Sequence, residues 1–292
     1  NANKHGKLMK VGIVGDAKRG VAWERHLRPH QIVQEVELCP HISEVSEVDA
    51  CFLVDESPHD LDILLEGIRS GLNCYLISRM PTDTEKLEKI YRATREAGVQ
   101  VQFSHWPTLA PATQWMMDRM HRPSYLSISR DIQYTHFLNS EDEFRHYWID
   151  ELGLCMKWMD SGIHHAEAKK VMLNDIHPTA IHIFLRFDNG STADINIYTG
   201  ASENRHHRMA SNKSEILDCS VSDQNIRAGR LNSGNRLYFE KQSFDPSTSA
   251  EKSALMFLKS IQMDKETPYT AYDAYQLSIQ VKTLEKRLSQ FS

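Results

Sequence analysis

The sequence predicts an α/β chain: an N-terminal Rossmann-type, doubly wound parallel sheet, then an α+β domain with an open antiparallel sheet. Three observations predict it. Short apolar runs alternate with helix-spaced runs as far as Phe103. Beyond Pro111 the runs lengthen and alternate in and out. One of them, Ala180 to Phe187, is joined to Ser191–Tyr198 by Asp188-Asn189-Gly190, and Asn-Gly between alternating runs is a hairpin signal.

The elements follow in order. Lys10-Val11-Gly12-Ile13-Val14-Gly15 reads as a buried strand ending at a glycine. Ile32 to Leu38 is a second strand. Ala50 to Val54 is a third, apolar throughout, as a strand covered on both faces should be. Asn73 to Ile77 and Val99 to Phe103 complete the set. Leu61, Leu64, Leu65 and Ile68 share a helix face, with Gly71 placed for a C-terminal cap. Asp83 is an N-cap candidate, Leu87, Ile90, Tyr91 and Thr94 follow on one face, and Gly98 ends that helix. Strands alternating with helices imply right-handed βαβ units.

In the second half, Tyr125 to Tyr134, Glu215 to Val221 and Arg236 to Phe239 read as strands, and a helix is expected around Glu151–Leu173. Ala254, Leu258 and Ile261 share a face, as do Ala274, Leu277, Val281, Leu284 and Leu288, which predicts two amphipathic C-terminal helices. His105-Trp106-Pro107 interrupts the pattern. This places the division between residues 1–104, a dinucleotide-binding-like domain, and 105–292, a substrate and oligomerisation domain.

A chain of 292 residues suits about two domains. Its net charge of −5, with no basic stripe carrying interleaved aromatics, argues against nucleic acid or an anionic membrane as partner. No apolar run reaches the ~18–20 residues of a membrane helix, and the polar start Asn1 to Lys7 lacks a signal-peptide core. Five scattered cysteines without a CxxC spacing suit a reducing cytoplasm. There is no G-x-S-x-G elbow for a nucleophilic serine.

Chemistry concentrates at Gly15-Asp16-Ala17-Lys18-Arg19-Gly20, which has the spacing of G-x-G-x-x-G with Ala17 at the second glycine. In a strand-to-helix turn that spacing cradles a pyrophosphate on the helix N-terminus. Ala17 adds a methyl at the crowded point and Asp16 a negative charge. Lys18 and Arg19 offset that charge. The alternative is a turn kept for packing. Glu35 or Glu37 is the acid expected to meet ribose hydroxyls. Only Cys39 to Asp49 separates the second strand from the third, room for one short helix or loop.

With these motifs the sequence resembles the Gfo/Idh/MocA oxidoreductases, the glucose–fructose oxidoreductase and inositol dehydrogenase family. The carriers are Val11–Gly15 with its loop, Val48-Asp49-Ala50, Ser57-Pro58-His59, Arg79-Met80-Pro81 in place of Glu-Lys-Pro, and Asp160-Ser161-Gly162-Ile163-His164-His165-Ala166-Glu167 for D-x-G-x-H-x-x-D. The C-terminal segments Phe257–Pro268 and Ala271–Leu284 also correspond. The resemblance implies NAD or NADP, with Glu37 favouring NAD, held by Gly15, Ala17, Lys18, Arg19, Gly20, Glu37, Ser57, Pro58 and Met80. It implies hydride transfer at a sugar or cyclitol carbon, with His164 as acid–base and Asp160, one helical turn earlier, assisting. It also implies a homo-oligomer formed through the sheet.

Met80 stands in the lysine slot and carries no proton. Leu154-Cys155-Met156 are bulkier than the glycines of the family pattern, and Lys157 is an added cation. A family member that binds a sugar-like ligand or a protein partner without redox chemistry is therefore the second reading. His105, Trp106, Glu167 and Lys157 are substrate candidates, with Tyr134, His136 and Tyr198 as further cleft candidates. A metal site on Asp160, His164, His165 and Glu167 is a third reading, although adjacent histidines diverge by about 100° on a helix. His206-His207 reads as solvated loop, or as a binder of an anionic group.

Overall fold

The structure, a computed structural model, describes Gly6–Tyr134 and Ser140–Gln290. His136 lies outside the described residues. The chain divides into two compact units, one running to His105 and including Thr248–Ser278, the other Trp106–Ser247 with the chain from Ile279 on. The stretch Thr248–Ser278 thus packs with the first unit rather than with the rest of 105–292. Its pattern shows an apolar face and carries nothing about which sheet that face meets.

The first unit is a five-stranded parallel sheet. In chain order its elements are β1 (Met9–Val14), α1 (Ala17–Leu27), β2 (Val33–Cys39), β3 (Ala50–Leu53), α2 (Asp60–Arg69), β4 (Cys74–Leu76), α3 (Thr84–Ala97) and β5 (Val101–Phe103). The sheet order is β2-β1-β3-β4-β5, so the winding reverses between β1 and β3. A single 3-10 turn, Ile42–Glu44, bridges β2 and β3. Asp83 caps α3 by accepting from the Lys86 N–H, and Gly98 closes it at φ 64°. Alternation along β4 sorts the two faces. Tyr75 joins Trp23, Phe52 and Phe257 in an aromatic cluster on one side. Cys74 lies under Gly67 of α2 on the other.

The second unit holds α4 (Trp106–Leu109), α5 (Pro111–Arg119), β6 (Tyr125–Gln133), α6 (Glu141–Met159), β7 (Ile163–Leu173), β8 (His177–Phe187), β9 (Thr192–Ala201), β10 (Arg205–Ser211), β11 (Ile216–Ser220), β12 (Asn225–Leu231) and β13 (Leu237–Ser243). Two helices follow, α7 (Ser249–Gln262) in the first unit and α8 (Ala271–Gln290), which begins in the first unit and ends in the second. The eight strands run β13-β12-β11-β10-β6-β9-β8-β7, antiparallel except for the β6–β9 pair. One face is buried through Ile181, Ile183, Leu185, Ile195 and Ile197. The intervening residues on the other face stay accessible.

The sequence expectation of a helix over Glu151–Leu173 is corrected here. The helix is α6, ending at Met159 where Asp160 turns left-handed at φ 45°, and the rest of the stretch is edge strand β7. Asn174 and Asp175 both hold positive φ, the requirement of a tight hairpin turn, and this turn pairs β7 with β8.

Candidate functional site

In the first unit the candidate residues gather at the carboxyl ends of β1 and β3, the switch point where ligands meet open α/β sheets. Gly15 leaves β1 at φ 146°, and a Cβ there would stand 2.7 Å from Asp55 Oδ1. Only glycine suits that backbone. Asp16 is the N-cap of α1, its carboxylate accepting from the Arg19 N–H at 3.2 Å. The Asp16 N–H donates in turn to Asp55 Oδ1 at 2.8 Å. The Arg19 guanidinium reaches the Val54 carbonyl at 3.3 Å. Ala17 and Lys18 open α1 on the exposed side, and Gly20 packs beneath Leu38.

Two carboxylates therefore meet at the turn, its own Asp16 and Asp55 from beyond the end of β3. A dinucleotide pyrophosphate there would have to displace Asp16 from the helix N-terminus and would lie beside Asp55, with exposed Lys18 and Arg19 as the offsetting cations. Each like-charge pair at about 4 Å costs about 1 kcal/mol in water and about 4 kcal/mol at an effective dielectric of 20. Glu37 is also committed. The Ser46 hydroxyl donates to it at 2.6 Å and holds its carboxyl below the usual range. Ser57 Oγ accepts from the His59 N–H, with Pro58 between them in the loop. Met80 is 3% exposed, a core residue in the lysine slot.

Beside this turn lies a cavity of about 390 Å³. Val14, Leu53, Leu76 and Ile63 form apolar walls, and Asp55, Asp60 and Glu66 supply carboxylates. Burial pushes the Asp60 carboxyl up, which a Ser78 hydrogen bond partly offsets.

In the second unit the helical pairing of Asp160 with His164 is overturned. Asp160 caps α6 and pairs with Arg122 at 3.0 Å, while His164 stands on β7, 3.6 Å from Asp188. The two have different partners because the helix ends at Met159 and the chain turns at Asp160 into β7. Glu167 is exposed and bound to His165 at 2.9 Å. His164 sits at a register irregularity of β7, between Ile163 and His165, and the two histidines have different carboxylate partners, Asp188 and Glu167. Among the described residues no group of three or more His, Cys, Asp or Glu side chains is arranged to hold a metal. Lys157 is half-buried in the last turn of α6, where Leu154 and Cys155 are fully buried. His105 is buried and stacked on Tyr269 at 4.4 Å, a packing role in the first unit. Trp106, at the head of α4, is 39% exposed.

Sequence reasoning missed the most charged part of this unit. Arg208 on β10 binds Glu151 of α6 through Nε at 3.0 Å and Nη2 at 2.8 Å, and His206 Nε2 lies 2.7 Å from the same carboxylate. His206 and His207 are thus strand residues, not loop. Burial pushes Glu151 up, but Arg208 and then His206 outweigh it and hold the carboxyl far below its usual range. One available signal was the alternation in Arg205–Ser211, which puts His206, Arg208 and Ala210 on one face. All five cysteines are buried and unbridged. Burial raises the thiols of Cys39 and Cys219 to about 11 and about 12, which removes them as nucleophiles.

No family model and no curated protein matches the sequence. Solved structures do match the fold. UDP-N-acetylglucosamine 3-dehydrogenase GnnA from Acidithiobacillus ferrooxidans superposes with a TM-score of 0.81 at 14% identity, over 97% of this chain and 98% of that one. An NAD binding oxidoreductase from Klebsiella pneumoniae gives 0.78 at 11% identity, over 98% of each chain. The dehydrogenase MviM from Clostridium difficile gives 0.77 at 9%, over 97% of this chain and all of that one. The fold is the two-domain fold of Gfo/Idh/MocA-type dehydrogenases.

Proposed function

We propose that this chain is a dehydrogenase-fold protein that binds a hydroxyl-rich, sugar-like ligand and has lost hydride transfer. The observation that carries the reading is the pair of carboxylates, Asp16 of the turn and Asp55 from beyond β3, that occupy N–H donors where a pyrophosphate would sit. Buried Met80 supports it, because a thioether neither donates nor accepts a proton at a reacting hydroxyl. The cavity beside the turn suits such a ligand. Its carboxylates accept from hydroxyl or amine donors and repel phosphate, and its apolar walls take a ring face. The sugar-like class is supported by GnnA only through the sugar half of the sugar nucleotide its name prints, since a diphosphate does not suit these carboxylates.

The fold match favours a second reading, an NAD(P)-dependent dehydrogenase. In it Gly15, Ala17, Lys18, Arg19, Gly20, Glu37, Ser57, Pro58 and Met80 would hold the cofactor. His164 would be the acid–base, with Asp160, Glu167, Lys157, His105 and Trp106 toward the substrate. Calorimetric titration of the full chain with NAD(H) and NADP(H) separates the two. The first reading expects no binding heat at millimolar dinucleotide, and micromolar binding overturns it. The accessible face of the eight-stranded sheet, with Tyr198, Ile216 and Phe239 exposed, supports a homo-oligomer through that sheet.

A further inference from the structure

Where α6 meets the eight-stranded sheet, Arg208 and His206 of β10 converge on the Glu151 carboxylate, with Arg130 of β6 beside them. Arg208 alone neutralises Glu151, gripping both of its oxygens with both groups about 95% removed from water or more. His206 is surplus to that pairing. An ionised carboxylate only accepts, so neutral His206 donates Nε2–H to Glu151 and keeps Nδ1 as an unprotonated acceptor. Arg130 on β6 stands opposite His206 in the strand register. Its guanidinium lies over the ring of Tyr147, 4.5 Å from the centroid, and has no ion-pair partner among the described residues. Tyr147 is one helical turn before Glu151. Helix α6 and two adjacent strands thus bring together an unpaired guanidinium and a carboxylate-oriented imidazole.

We propose that Arg130 and His206, backed by Glu151, form a site for an oxyanion, the phosphate or carboxylate of a small ligand, and that His206 takes a proton from solvent as the anion binds. The groups acting on His206 are Glu151 from α6, Arg130 from β6 and Arg208 on its own strand, while Asp150 and Cys219 act on Arg208. Burial keeps His206 neutral without a ligand, against the pull of Glu151. A bound anion reverses that balance, because its charge stabilises the imidazolium and pairs with the Arg130 guanidinium. The site does not depend on the reading of the dinucleotide turn, which belongs to the other unit.

Long-range proton–nitrogen NMR of the labelled full chain tests it, with the His206 signal assigned by loss in His206→Asn. Titrated alone, His206 changes charge below the ordinary histidine range. With millimolar inorganic phosphate its titration moves up by about one pH unit, which corresponds to about tenfold tighter binding of the anion to the protonated form. Acetate in a parallel series tests the carboxylate source, and the stronger response identifies the ligand group. Arg130→Gln abolishes the movement and His207→Asn leaves it intact. If neither anion moves the wild-type titration, or Arg130→Gln responds as the wild type does, the site is structural only and the proposal is overturned.

Discussion

Asp55 sets the chemistry of the first turn, because its carboxylate takes the Asp16 N–H that an external anion would otherwise use. This role was not legible in the sequence. Asp16 and Ala17 stood inside a recognisable spacing, but Asp55 follows a different strand and reaches the turn only once β1 and β3 pair. Met80 was legible, since a thioether in place of an amine shows without coordinates. Glu151 was invisible for the opposite reason: nothing in an acidic residue on an amphipathic helix announces an arginine on a distant strand. Its energetics give a residue-scale prediction. Glu151→Ala leaves Arg208 buried without a partner and should cost about 3–5 kcal/mol, measured by urea unfolding. Replacing both, Glu151→Leu with Arg208→Met, should recover much of that loss.

At the scale of elements, α6 and β10 are held by this cluster, so their docking depends on pH. His206 has its folded-state pKa lowered from 6.5, so the unfolded chain binds a proton that the folded chain refuses. The stability it contributes is fully present above that ordinary value and is lost as pH falls below it. Glu151 acts in the same direction lower down, below the usual glutamate range. The urea midpoint should therefore fall between about pH 7.5 and about pH 5, and His206→Asn should flatten that fall. An unchanged slope in the variant would move the pH dependence elsewhere. On the other unit, α7 is tied to the parallel sheet through Phe257, whose ring packs 5.4 Å from Phe52 and 5.5 Å from Tyr75. Phe257→Ala should cost about 3–5 kcal/mol, read as a lower unfolding midpoint. Most of the parallel sheet was legible because β1, β3, β4 and β5 are short apolar runs and α3 has an Asp N-cap and a glycine C-cap; β2, with its Gln and two Glu, shows only alternation. β7 was not. Its residues 163–173 mix Ala, Lys and Glu as a helix would, and only the Asn174-Asp175 turn marked it as half of a hairpin.

For the whole molecule, the fold and the site tell different stories. The chain shares the two-domain fold of the matched dehydrogenase structures over nearly its full length, while identity to them is 14% or less. Core patterning tolerates such divergence, since apolar residues of similar volume replace one another with little loss. Sites do not, because a hydride-transfer centre needs particular charges at particular atoms. Hence the architecture was readable from periodicity, while the state of the cofactor turn depended on a carboxylate donated across the sheet. The most direct measurement is a titration of NADH into the wild-type chain and into Asp16→Ser/Asp55→Ser, side by side. The expected result is no binding by the wild type at millimolar NADH, and measurable binding once both carboxylates are gone, tighter by about tenfold or more per charge removed. Micromolar binding by the wild type, unchanged in the double variant, would contradict it.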